Sequence, residues 1–187
     1  MKEVVFATSS VIKYSVARDV LAQSGITLVR EDLDVPEIQG EDGEIIARNK
    51  AEKAFQKLGK PVIITDDTWM IPGLNGFPGA YMKSMNEWLM PEDWLRLTDT
   101  LADRRIILRQ FAVYQDEQVQ KVFVGDVEGI LLHEIRGKTK HPHCTIISFD
   151  GGKHSDAEFH EQGLSGTKDS RTVWDELGPW LKTYLTS

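Results

Sequence analysis

The chain has 187 residues, 41% hydrophobic and 27% charged, enough to bury one substantial core, and no stretch reaches the roughly 18 apolar residues a membrane span requires. Its net charge of −7, with Lys and Arg scattered rather than clustered, excludes the basic footprint of a nucleic-acid binder but leaves room for small phosphorylated ligands. The single cysteine, Cys144, excludes an intramolecular disulfide, and the opening residues carry no signal-peptide pattern, so the expectation is one cytoplasmic domain spanning 1–187.

Val4-Val5-Phe6-Ala7 is a short apolar run that ends in Thr8-Ser9-Ser10, after which Val16, Val20 and Leu21 recur at helical spacing. A second strand over 27–33 leads into the acidic segment through Glu37, and Gln39-Gly40 breaks the chain. Ala47, Ala51, Ala54, Phe55 and Leu58 then form the apolar stripe of a helix stopped by Gly59 and Pro61. Pro61-Val62-Ile63-Ile64-Thr65 reads as a buried strand that runs into Asp66-Asp67, so the first third alternates β-α-β-α-β, the pattern of an α/β layer architecture. A Gly- and Pro-rich loop over 72–79 precedes a helix over 88–101. The segments 106–114 and 119–132 read as a long antiparallel hairpin, 146–149 as a strand, and Val173, Trp174, Leu177, Leu181 and Leu185 as C-terminal helix split into two pieces by Gly178-Pro179.

Lys13 falls in the first turn of the first helix, where the helix dipole disfavours a cation unless an anion sits beside it. The turn is therefore a candidate phosphate site; Ser10 as a simple N-cap with a solvated Lys13 is the alternative, and the turn alone favours it. Glu44 extends the apolar stripe of the second helix backwards, so it needs a partner or serves the helix dipole. Asp66 and Asp67 sit where a buried strand ends, the usual place for ligands in α/β sheets, and paired carboxylates there suit a hard cation such as Mg²⁺ and the activation of a water. An Asp-Thr turn without metal is the alternative. Gly137-Lys138-Thr139 lacks the earlier glycine of a P-loop, and the spacing of His141, His143, Cys144, His154 and His160 fits no common structural-zinc pattern, so neither is expected to bind.

Taken in order, these segments resemble the inosine-triphosphatase (Ham1-like) family, whose members hydrolyse deaminated purine nucleoside triphosphates to the monophosphate and pyrophosphate. Phe6-Ala7-Thr8-Ser9-Ser10-Val11-Ile12-Lys13 is similar to the family's T-G-N-x-x-K phosphate motif, and Asp34-Val35-Pro36-Glu37-Ile38-Gln39-Gly40 to its L-P-E-x-Q-G segment. Lys50 matches the lysine of its second helix, Thr65-Asp66-Asp67-Thr68 its E-D-T or D-D-S motif, and Gly76-Phe77-Pro78-Gly79-Ala80-Tyr81-Met82-Lys83 its G-x-P-G-x-Y-x-K motif. The resemblance implies an elongated mixed sheet with helices on both faces, two lobes around a central cleft, and a homodimer. It also implies Mg²⁺ held by Glu37, Asp66 and Asp67, with Asp67 and Lys13 as catalytic residues. Thr8, Ser9, Ser10, Lys13, Lys50, Thr68, Lys83 and Arg171 then contact a nucleoside triphosphate.

The sequence departs from the family in four places. Ser10 stands for asparagine, Glu44 lies six rather than five residues before Lys50, and the later S-H-R motif survives only as Asp169-Ser170-Arg171. The base-binding F-G-W-D-P motif is absent from the stretch His141-Pro142-His143-Cys144-Thr145-Ile146-Ile147-Ser148-Phe149. Phosphate and metal chemistry is thus expected to persist with altered base reading. The remaining alternatives are a pyrophosphatase acting on another modified or pyrimidine nucleotide, as in the related Maf proteins, and a non-catalytic nucleotide-binding module.

Overall fold

Successive residues of β1 (Glu3–Ala7) are buried in different cores, and this alternation organises the fold around it. The structure, a computed structural model, describes residues 3–167 and 172–186. Its order is β1, α1 (Val11–Gln23), β2 (Thr27–Glu31), α2 (Gly43–Leu58), β3 (Val62–Met70), β4 (Pro78–Gly79), α3 (Met82–Trp88), α4 (Pro91–Thr98), β5 (Arg105–Gln115), β6 (Gln120–Leu131), β7 (Ile147–Ser148), α5 (Asp156–Glu161) and α6 (Trp174–Thr186). The strands form one seven-stranded sheet in the order β2-β1-β3-β5-β6-β7, with β4 paired to β3. β1 is parallel to β2 and β3, whereas the β3–β4 and β6–β7 pairs are antiparallel, which makes the sheet mixed.

The chain divides into two compact units. The first takes in β1 through Asp67, Gln110–Gly125 and α6; the second takes in Thr68–Arg109 and the segment from Asp126 through α5. In the first unit, Val4 and Phe6 pack with Ala17 and Leu21 of α1 and with Trp174, Leu177 and Leu181 of α6. Val5 packs on the other side with Ala47, Ala51 and Ala54 of α2. The same alternation holds in β3, where Ile63 joins the first core and Val62 and Ile64 the second. It holds in β5 as well, with Ala112 and Tyr114 set against Phe111 and Val113. Helices therefore cover both faces, and each fully buried aliphatic or aromatic side chain stabilises the arrangement by about 1.5–3 kcal/mol.

The second unit has its own core of Trp69, Ile71, Met82, Trp94, Ile106, Leu108, Val127, Leu131, Ile146 and Ile147. This core explains why β3 does not stop at Thr65 as expected: Trp69 and Ile71 bury beyond the two aspartates and draw the strand on to Met70. The expected helix over 88–101 is instead α3 and α4, because Pro91 starts a new helix at its first position, with Asp93 accepting from Met90 N at 2.9 Å. The expected break at Gly178-Pro179 is also absent, and α6 is continuous through Pro179. The lost backbone donor at Pro179 is outweighed by burial of Leu177 and Leu181 in one core, and a Cβ at Gly178 would come within 2.9 Å of Ser24 Oγ. The helix α5, absent from the expectation, opens with a capping box in which Ser155 and Glu158 exchange hydrogen bonds at 3.1 and 2.7 Å.

Candidate active site

β1 and β3 pair with Val5 opposite Val62 and Phe6 opposite Ile63. Extending that register sets Ala7, the last residue of β1, opposite Ile64. Asp66 and Asp67 therefore lie on a stretch of β3 that β1 no longer covers, because the chain has turned away at Thr8-Ser9-Ser10. They are inside β3 rather than past its end, and it is the carboxyl end of β1 that opens the space beside them.

Strand alternation then sends the two carboxylates to different helices. Asp67 has the parity of Ile63, which faces α1, and its Oδ2 lies 2.6 Å from Lys13 Nζ. Asp66 has the parity of Val62 and Ile64, which face α2, and its Oδ2 lies 3.8 Å from Lys50 Nζ. Lys50 also donates to Glu37 Oε2 at 3.2 Å. Glu37 is held there because Lys53 and Lys57, which follow Lys50 at helical spacing, donate to Pro36 O and Asp34 O at 3.3 and 2.9 Å. Lys53 and Lys57 carry no motif, and only their spacing from Lys50 could have drawn attention to them.

The turn between β1 and α1 is fixed by its own hydroxyl groups. Thr8 N donates to Glu31 O at 2.9 Å, Thr8 Oγ1 accepts from Ser10 N at 3.1 Å, and Ser10 Oγ accepts from Lys13 N at 3.2 Å. Ser9 contributes its carbonyl, which accepts from Arg30 Nη1 at 3.2 Å. Ser10 is thus an N-cap, and Lys13 is a part-exposed side chain tied to Asp67 rather than one free in solvent. Burial works against its charge, while Asp67, and further off Asp66 and Glu37, outweigh that effect and hold its pKa above the ordinary lysine value. For Asp66, burial pushes the carboxyl up, with Glu37 and Asp67 adding to it against the opposing pull of Lys50 and the Asp67 N–H.

Two carboxylate oxygens in this cluster, Asp66 Oδ2 and Asp67 Oδ1, are buried without a hydrogen bond, as is Thr68 Oγ1. Buried acceptors left without donors are costly, and a cation or a water would satisfy them. The donor set consists of carboxylate oxygens alone, which fits a hard divalent cation.

The structure brings Thr8, Ser9, Ser10, Lys13, Glu37, Lys50, Asp66 and Asp67 into the first unit. Thr68 and Lys83 belong to the second, Thr68 buried and Lys83 exposed in the first turn of α3. Arg171 lies outside the described residues. Glu44 finds its partner in Arg48, whose Nε donates at 2.8 Å, and is a helix-surface pair. In the second unit, His143 sits edge-on to Trp69 with ring centroids 4.9 Å apart, and its Nδ1 lies 2.7 Å from Asn86 Oδ1. Burial, with His141 and His160 nearby, pushes its pKa down to about 3, so the ring is neutral.

Residues 4–162 match the model of the Ham1 family. A dITP/XTP pyrophosphatase of Methanopyrus kandleri is 33% identical, covering 87% of this chain and 85% of its own. The dITP/XTP pyrophosphatase of Methanosarcina acetivorans is 31% identical, covering 97% and 98%. The fold is shared with a HAM1 protein from Coxiella burnetii, at TM-score 0.72 and 21% identity over 100% of this chain and 99% of that one. The Ham1 protein of Staphylococcus aureus gives TM-score 0.69 and 23% identity over 99% and 98%. The chain belongs to the Ham1 family.

Proposed function

We propose that the chain hydrolyses nucleoside triphosphates between the α- and β-phosphates, releasing the monophosphate and pyrophosphate, and that deaminated purine nucleotides are among its substrates. The observation that carries this reading is the pair of buried oxygens without a hydrogen bond, Asp66 Oδ2 and Asp67 Oδ1, flanked by Lys50 and Lys13. The names of its relatives, dITP/XTP pyrophosphatases, support the substrate class.

Glu37, Asp66 and Asp67 would hold Mg²⁺. When bound, that ion would neutralise phosphate charge and polarise the scissile phosphorus. Lys13 and Lys50 bind phosphate oxygens and stabilise the charge that develops on them. The hydroxyl protons of Thr8 and Ser10 remain free to donate, since both oxygens act only as acceptors within the turn. Asp67 accepts a proton from the attacking water through Oδ1, the oxygen that Lys13 leaves open. Thr68, Lys83 and Arg171 are assigned to the substrate on the family motifs, and the working form is taken to be a cytoplasmic homodimer.

One feature supports altered reading of the base, with weaker preference for the deaminated purines. The stretch from His141 to Phe149 lacks the family's base-binding motif and instead places a neutral His143 against Asn86 and Trp69. Phosphate release measured with and without added inorganic pyrophosphatase, over a panel of nucleoside triphosphates in Mg²⁺, tests the proposal. Orthophosphate should appear only with the coupling enzyme; orthophosphate without it, or none with any nucleotide, would refute the assigned reaction.

A further inference from the structure

The second unit gathers three metal-ligating side chains that no spacing rule in the sequence would have grouped. Cys144 lies in the short helical turn Pro142–Ile146, while Asp156 and His160 are one turn apart on the same face of α5. One potential ligand atom from each, a sulfur, a carboxylate oxygen and an imidazole nitrogen, lies within 4.8 Å of the other two. Cys144 and Asp156 are buried, and His160 keeps about a fifth of its side chain exposed at the rim, which supplies a route from solvent.

Three details favour a metal over an ordinary ion pair. The His160 Nε2 to Asp156 Oδ2 separation is 3.4 Å, longer than the roughly 2.7–3.2 Å of a good N–H···O bond. It is close to the separation of about 3.4 Å between two ligands on a tetrahedral ion with bonds of about 2.1 Å. Asp156 Oδ1 is already anchored, accepting from Gly166 N at 2.9 Å, which orients the carboxylate and leaves Oδ2 toward His160. In their metal-binding forms the three ligands, a thiolate, a carboxylate and an imidazole, would balance the charge of a divalent ion inside a buried site.

We propose that Cys144, Asp156 and His160 form a site for a borderline-soft divalent transition metal of the Zn²⁺ class, with a fourth position left to water or another ligand. The thiolate and imidazole donors set it apart from the all-oxygen set at Glu37, Asp66 and Asp67, which suits Mg²⁺. Binding releases the thiol proton to solvent, because the thiolate is the ligand.

Co²⁺ provides the test, because a sulfur-to-cobalt charge-transfer band can arise only from Cys144, the single cysteine of the chain. The full-length protein, stripped of metal with a chelator, is titrated with Co²⁺ and followed by absorbance. The band should saturate at one Co²⁺ per chain, be displaced by Zn²⁺ but not by millimolar Mg²⁺, and survive Asp67→Asn. Co²⁺ affinity should fall about tenfold or more in His160→Gln and in Asp156→Asn. Since Asp156 is buried and its substitution can disturb folding, the rim variant His160→Gln carries the decision. Absence of the band in the wild-type protein, or unchanged Co²⁺ affinity in folded His160→Gln, overturns the assignment.

Discussion

Lys13 Nζ lies 2.6 Å from Asp67 Oδ2, joining the first turn of α1 to the part of β3 that β1 leaves uncovered. A cation at a helix N-terminus opposes the helix dipole, so the pairing with Asp67 compensates locally. The same lysine can pair with an incoming phosphate, which would compete with Asp67 Oδ2 for it.

Replacement of Lys13 by alanine should raise KM for the triphosphate by roughly ten- to hundredfold, the loss of a charge-assisted hydrogen bond of about 1.5–3 kcal/mol. Stability should change little, because the lysine side chain is 38% exposed and solvent screens the pair to below about 1 kcal/mol. Steady-state kinetics together with a urea midpoint separates the two effects; a large drop in midpoint with unchanged KM would make Lys13 a purely structural residue.

Asp116, in the turn between β5 and β6, accepts from Gln118 N and Val119 N at 2.8 Å and from the Tyr114 and Tyr184 hydroxyls at 2.9 Å. Burial alone would raise its pKa, but these four donors outweigh it and hold the carboxyl below its ordinary value. The folded pKa is depressed, so the stability it contributes is present above the unfolded value near 3.9 and is lost as pH falls through the folded one. Asp116→Asn should cost on the order of 1–3 kcal/mol at neutral pH and flatten the acid limb of the stability curve below about pH 4. Urea midpoints at several pH values check this; an acid limb identical to wild type would contradict it.

A site that reads a base through paired hydrogen bonds rejects analogues strongly, whereas apolar contact discriminates by only about 1–3 kcal/mol. With F-G-W-D-P absent, inosine and xanthosine triphosphates should be preferred over ATP and GTP by a smaller margin than the family motif would give. Relative kcat/KM values at equal Mg²⁺ decide it. A preference of several orders of magnitude for inosine triphosphate would show that other side chains between His141 and Phe149 rebuild the base site.

The sequence alone carried the β-α-β-α-β opening because Val4, Val5, Phe6 and the alanine stripe of α2 are strong local signals, and these elements pack as that order requires. It misplaced the end of β3 because two aspartates imitate a turn, while the cause of the continuation, the burial of Trp69 and Ile71, belongs to a core assembled from distant segments. Pro179 misled for the same reason, since Leu177 and Leu181 share one core across it. The helix α5 was missed although Ser155 and Glu158 stand at capping-box spacing before it. The motif residues Lys13, Lys50, Glu37, Asp66 and Asp67 could be named from order and spacing. That each lysine takes a different aspartate follows only from the parity of β3 once its register with β1 is known.

If the carboxylates on β3 perform the hydrolysis, Asp67→Asn should abolish it, because the substitution keeps the shape of the side chain while removing the proton acceptor and one metal charge. Turnover of inosine triphosphate should be measured at saturating substrate and Mg²⁺ for the wild-type and variant proteins, with circular dichroism and a urea midpoint as the check on folding. The variant should fold, and its kcat should fall by about two to four orders of magnitude, the range for loss of a positioned general base. A folded Asp67→Asn protein that turns over at the wild-type rate would contradict it.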